Sequence, residues 1–215
     1  MGYKTVWADG QAEDVINKSR FIGYAKPITT EAEATAFIEE IRKKHWDASH
    51  NVPVYVIGEN YNVQRYSDDG EPAGTAGVPV LSMLKNEGIT NVVVVVTRYF
   101  GGVKLGKGGL VRAYTHGAKI ALEAATVVTK EVYQEMALTM DYTTHGKVQN
   151  WLMNQEAYLL ADTAYTDQVT LKVFVLPGDL DRFTADLTDL THGKMDINPI
   201  EETLLTINQD KIMEL

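Results

Sequence analysis

The sequence predicts an α+β protein made of two units, and three observations carry that expectation. Five consecutive valines, Val92 to Val96, are followed by a glycine-rich segment and then by apolar and small residues at helical spacing, which reads as strand, loop and helix. From Val132 onward the pattern becomes strand, helix, strand, strand, helix, strand, the βαββαβ order of a ferredoxin-like sandwich. Charge divides in the same place: the segment up to Thr129 holds 14 Lys+Arg and 14 Asp+Glu, the rest holds 6 and 15, so the net charge of -9 lies wholly in the second part. Two domains, 1–129 and 130–215, are therefore expected, and the second is acidic.

Taken in order, residues up to Asn17 set Val6, Trp7, Val15 and Ile16 among polar neighbours and predict an edge strand or hairpin. Residues 20–27 form a strand ended by proline. Thr30 and Glu33 then make a capping-box pattern, opening a helix whose Ala34, Phe37, Ile38, Ile41 and His45 share one face and pack on a sheet on that side alone. Glu39 with Lys43 and Glu40 with Lys44 stand in the favourable i,i+4 orientation. Residues 52–58 and 61–66 read as two further strands, with Pro53 pointing to an edge or a bulge. Turn formers fill residues 67–77 almost throughout, which predicts an ordered or functional loop. A short helix over 79–86, stopped at Gly88, leads to the valine strand, whose β-branched residues suit burial on both faces. After the loop 101–109, Leu110, Tyr114, Gly117, Ala118, Ala121, Leu122 and Ala125 recur at helical spacing and are small enough to bring that helix close to the sheet.

In the second part, strand-like segments cover 133–142, 157–165 and 168–176, the last alternating Val169, Leu171, Val173 and Val175. Helices are expected over 144–155 and over 178–190 after Pro177, with a last strand over 200–207.

Composition narrows the function. With 45% hydrophobic residues the chain can bury a substantial core, and with no cysteine it has no disulfide, thiolate metal site or cysteine nucleophile, which suits a reducing cytoplasm. The first residues lack the apolar run of a secretory signal and no apolar stretch is long enough to span a membrane, so a cytoplasmic protein without membrane partners is expected.

The chemistry concentrates in two stretches. No acidic residue lies between Glu87 and Glu123, whereas Arg98, Lys104, Lys107, Arg112 and Lys119 do, so an anion is the expected partner. Gly101, Gly102, Gly106, Gly108 and Gly109 surround Lys104 and Lys107. Backbone N–H groups bared by glycine, the start of the following helix and the cations Lys104, Lys107 and Arg112 would cradle a phosphate. The competing reading is a tight connection whose glycines serve only positive φ. The segment is neither a Walker A sequence nor G-x-G-x-x-G, so nucleotide hydrolysis has no motif. Tyr99 and Phe100 either stack on a base or belong to the core.

The second stretch is a supporting loop, with Asp68, Asp69, Gly70, Glu71, Gly74 and Thr75, to which His50 adds a polar group at a strand start. Asp68, Asp69 and Glu71 either supply oxygen ligands to Mg²⁺ or cap the turn at Gly70 and pair with Arg98 or Arg112. His45, His116, His145 and His192 lack ligand spacing, so zinc is not expected. No serine, histidine and acid trio or G-x-S-x-G elbow offers a nucleophile, and the catalytic residues, if any exist, are unassigned.

With DDGEPAGTAG at 68–77, TRYFGGVKLGKGGLVRAY at 97–114 and His50-Asn51 opening a strand, the chain resembles the YigZ/IMPACT family in its bacterial branch. The resemblance spans nearly the whole chain. It implies a ribosomal protein S5 domain 2-like first domain, a fold class with a left-handed βαβ crossover, and a pair resembling the last two domains of the translocating elongation factor. It also implies translational control, in which the eukaryotic branch is implicated; the kinase-pathway partner of that branch is reached through a different domain and is not carried over. The leading expectation is a non-enzymatic binding protein around translation that contacts RNA or the ribosome through Arg98, Lys104, Lys107 and Arg112. Its rival is an enzyme or sensor for a phosphorylated small molecule, using the same loop with Mg²⁺ on the acidic loop. A third reading is an interaction module whose acidic second domain meets a basic protein. Repulsion by that second domain argues against RNA wrapped over both.

Overall fold

In the computed structural model, which describes residues 2–155, 157–209 and 211–214, the chain divides into two units, one spanning Tyr3–Val128 and the other made of Gly2 with the residues from Thr129 onward. The first contains β1 (Tyr3–Val6), β2 (Gly10–Ile16), β3 (Ser19–Pro27), α1 (Glu31–Lys44), β4 (His50–Ile57), β5 (Val63–Tyr66), α2 (Gly77–Asn86), β6 (Val92–Tyr99) and α3 (Gly106–Ala124). Its sheet has the order β2-β3-β6-β4-β5, with every neighbouring pair antiparallel. The valine strand is at its centre. Val92, Val94 and Val96 pack with Val80, Leu84, Tyr114 and Ala118 of α2 and α3, while Val93 and Val95 pack with Phe37, Ile38 and Ile41 of α1. Helices on both faces explain why a strand in an antiparallel sheet is apolar without alternation. Full burial of one such side chain stabilises by about 1.5–3 kcal/mol, so this strand is the chief anchor of the unit.

Local signals account for the elements around it. The Thr30 side chain accepts from the Glu33 amide, and the Glu33 carboxylate accepts from the Thr30 amide, completing the capping box of α1. Glu39 pairs with Arg42 at 3.2 Å, one helical step away, and not with the Lys43 expected from spacing. The helix α3 lies close on the sheet because small residues meet there: a Cβ on Gly23 would collide with the Gly117 carbonyl, and one on Gly117 would stand 3.0 Å from Val96 Cγ1. Pro53 is on an interior strand, contrary to the edge expected. Its carbonyl accepts from Ser67, so its N–H-less nitrogen faces the same side, where β5 has already ended at Tyr66.

The second unit comprises β7 (Val127–Met140), α4 (Tyr142–Met153), β8 (Tyr158–Tyr165), β9 (Val169–Val175), α5 (Leu180–Thr191), β10 (Asp196–Asn208) and β11 (Lys211–Glu214). Its strands lie in the order β11-β10-β7-β9-β8, all antiparallel, and the four excluding β11 give the βαββαβ arrangement expected. Leu138, Met140, Leu171, Val173 and Val175 form one core with Val148, Leu152, Phe183 and Leu187 of the helices. Three boundaries differ from the sequence reading. β7 begins at Val127, β10 begins at Asp196 with Pro199 beside a register shift, and β11 is additional.

Candidate functional site

Where β6 leaves the sheet, a cleft of about 580 Å³ opens between the start of β4, the loop 67–76 and the first turn of α3. Glu71, Arg98 and Leu110 are buried and make its floor; Phe100, Lys104, Gly106 and Lys107 are exposed and make its rim; Ser49, His50, Pro72 and Leu105 complete the walls. Pockets of this size suit small ligands.

The floor is a buried polar network. Arg98 is 5% exposed, and its Nη1 donates to Glu71 Oε1 at 2.6 Å, the same oxygen that accepts from Tyr114 Oη at 2.7 Å. Burial and then this carboxylate push the Tyr114 phenol well above its ordinary pKa, so it stays a donor. Nδ1 of His50 donates to the Asp69 carbonyl at 2.7 Å, which leaves Nε2 turned toward Glu71 Oε1 at 3.6 Å. Arg98 also reaches Ser19 Oγ at 3.3 Å and stands 5.4 Å from the Phe21 ring and 5.3 Å from the Phe100 ring. Its Nε is buried without a partner among the described residues. Arg98 is therefore neutralised by Glu71 and is not the surface cation that the sequence reading pooled with the lysines.

The acidic loop is fully engaged. Asp68 accepts from the amides of Gly74, Ala76 and Gly77 at 2.8, 3.1 and 2.8 Å, bridging the loop to the start of α2. Burial raises its pKa, but these three donors outweigh burial and hold the carboxyl below the usual range. Asp69 accepts from the Asn51 amide at 2.6 Å and adopts φ +46, with Gly70 and Gly74 also at positive φ. Thr75 Oγ1 donates to the Pro72 carbonyl at 2.6 Å. Asp68, Asp69 and Glu71 thus face three different sets of partners, and among the described residues no three His, Cys, Asp or Glu gather as a metal would require. The pairing of Glu71 with Arg98 matches the second of the two readings of these carboxylates.

The basic loop is organised in the opposite way. Gly101 sits where a Cβ would collide with the Lys18 carbonyl, and Gly102 and Gly106 adopt φ +82 and +69. The helix starts at Gly106, so Lys107, Gly108 and Gly109 belong to its first turn and not to a loop. No side chain caps that end and no acidic residue stands in its first turn. Among the described residues neither Lys104 nor Lys107 has an ion-pair or hydrogen-bond partner.

β6 alternation separates sequence neighbours. Arg98 points to the α3 side, whereas Tyr99 joins the α1 side, where its hydroxyl meets His45 Nδ1 at 2.8 Å and donates to Asp47 at 3.1 Å. Phe100 is 48% exposed at the rim. Arg112 falls beyond Leu105 in a second hollow of about 350 Å³ with Asp14, Asn17 and His116. Ser49, Pro72, Leu105, Leu110 and Tyr114 were not picked out as site residues. Tyr114 carried a signal, being the one polar side chain on the buried face of α3, since a buried hydroxyl needs a partner.

The fold and site together define a two-unit α+β protein with a cleft at the end of its central strand, rimmed by Lys104 and Lys107. Residues 17–122 match the Impact N-terminal domain and residues 138–194 match a domain of unknown function, DUF1949. The chain is 44% identical over 203 residues to the IMPACT family member YvyE of Bacillus subtilis, covering 94% of this chain and 93% of that one. It is 36% identical over 189 residues to the IMPACT family member YigZ of Escherichia coli, covering 87% and 92%. A solved crystal structure of a hypothetical protein shares 34% identity with a TM-score of 0.57, over 93% of this chain and 98% of the other. The chain belongs to the IMPACT family. No helix among its described residues is long and apolar enough to cross a membrane.

Proposed function

We propose that this chain is a cytoplasmic, translation-associated binding protein that contacts RNA, free or within the ribosome, at the cleft under Lys104 and Lys107. One observation carries the reading: two lysines without a partner among the described residues and an uncapped helix start overlie a floor whose Arg98 and Glu71 charges cancel, an arrangement that favours a negative ligand. The resemblance to a family with a branch implicated in translational control supplies the setting. Of the four cations first expected to share the contact, Lys104 and Lys107 bear it, and Arg98 holds the floor.

Binding should weaken steeply with salt, because each neutralised phosphate releases counterions. Replacing both lysines with alanine should flatten the slope of log affinity against log salt by about 2 for duplex RNA or somewhat less for single strands. Fluorescence anisotropy with RNA, and co-sedimentation with ribosomes, across a salt series would measure this. Absence of binding at low salt, or a slope untouched by the double substitution, would sink the proposal.

The concavity of the site favours one second reading, a phosphorylated small molecule as the whole ligand. A thermal-shift screen of phosphometabolites decides this, since a ligand at a hundred times its Kd adds about 2.7 kcal/mol.

A further inference from the structure

We infer that the cleft recognises the terminal phosphomonoester of a nucleotide, on an RNA end or a free mononucleotide, and not the internal phosphodiesters of a passing strand. The inference rests on the anion-binding reading above and specifies its ligand. Charge is the first argument. The rim offers two ammonium groups and the partial positive charge of a helix start, roughly half a unit, above a neutral floor. A phosphomonoester carries about −1.5 to −2 at pH 7, whereas a diester carries only one charge, so the monoester is the better match. It also presents three terminal oxygens, enough to be shared between the two lysines and the amides of Gly106 and Lys107 at the helix start.

Shape is the second argument. Exposed groups surround a buried floor of Glu71, Arg98 and Leu110, so a ligand enters end-on. Phe100 stands at the entrance with its ring 5.3 Å from the Arg98 guanidinium, which holds it in place, and 48% of the residue is open for a base to stack on. A third observation is independent of the helix start. Arg98 lines the cleft while its Nε donor, within a residue only 5% exposed, has no acceptor among the described residues. A buried donor left this way is a polar group that an ordered water or an ion would complete.

The test uses the full chain with one short single-stranded RNA in three forms, 5′-phosphorylated, 3′-phosphorylated and with hydroxyl ends, together with adenosine monophosphate and inorganic phosphate, by calorimetry at constant salt. At least one phosphorylated end should bind about tenfold tighter than the hydroxyl form, and Lys104→Ala with Lys107→Ala should erase the difference. Both lysines are exposed, so an unchanged thermal transition verifies folding of that variant. Phe100→Ala should weaken adenosine monophosphate several-fold while leaving inorganic phosphate unaffected. If all three RNA forms bind equally and still depend on the lysines, end recognition is overturned while the RNA reading survives. If inorganic phosphate binds as tightly as the nucleotide, the nucleoside part is overturned. If neither RNA nor nucleotide binds, both readings fall.

Discussion

The two loops that enclose the cleft use glycine and charge to opposite ends. In the loop 67–76 each acidic side chain is held by donors, with Asp68 on three amides, Asp69 on the Asn51 amide and Glu71 on Arg98 and Tyr114. Across the cleft, the lysines and the helix start have no such partners among the described residues. The contrast shows how a site can be rigid and receptive at once. One loop spends its charges internally and fixes the floor, so the other can leave its charges unsatisfied without the connection collapsing. Glycine serves both: Gly70 and Gly74 close turns around carboxylates, whereas Gly102 and Gly106 bend the chain so that lysines end at a rim.

The contrast breaks most directly at the floor. Arg98→Ala leaves Glu71 buried without its ion partner, and such losses cost about 3–5 kcal/mol. A fall of that size in urea-denaturation stability is expected; a change below about 1 kcal/mol would mean that the pair is solvated and the floor is not a closed unit. Asp68→Asn comes next. It keeps an acceptor but removes the charge that strengthens three amide contacts, which should cost about 1–2 kcal/mol at pH 7. Because the folded carboxyl sits below its ordinary range, the native state binds fewer protons than the unfolded state in the acid region. Its contribution is complete above about pH 4 and is lost as pH falls through the folded value, so wild type and Asp68→Asn should converge in stability toward acid. Parallel curves down to pH 2 would show that the three amides do not act through the carboxylate charge.

How much of this was legible beforehand depended on the range of each interaction. The capping box at Thr30 and Glu33 was, because its partners are three residues apart. The doubly buried valine strand was too, because β-branched residues in an unbroken run have few other uses, and the change of unit near Thr129 was marked by charge. The Arg98–Glu71 pair is long-range, and sequence offered Arg112 as an equal candidate until helical geometry carried Arg112 past Leu105. Strand alternation could have separated Arg98 from Tyr99, had the strand been extended to Tyr99 instead of stopping at the valines. β10 was shortened because most of its residues before Leu205 are exposed and give no apolar alternation, and β11 is a short final strand hydrogen-bonded to β10.

The receptive loop is sharpened by the smallest changes. Lys104→Ala and Lys107→Ala should leave stability within about 0.5 kcal/mol, since exposed side chains without partners contribute little to folding. Gly108→Ala is finer still. Gly108 has no positive φ, and an added Cβ would meet only Arg112 Nη1 at 3.7 Å, an ordinary contact, so the fold does not demand glycine here. Alanine should raise stability by up to about 1 kcal/mol through helix propensity, and by less if the first turn frays. Because that Cβ faces Arg112 and Gly108 does not line the cleft, the same substitution should leave nucleotide binding unchanged while the protein becomes more stable. A several-fold loss of affinity would instead extend the recognised surface along the helix start past Lys107.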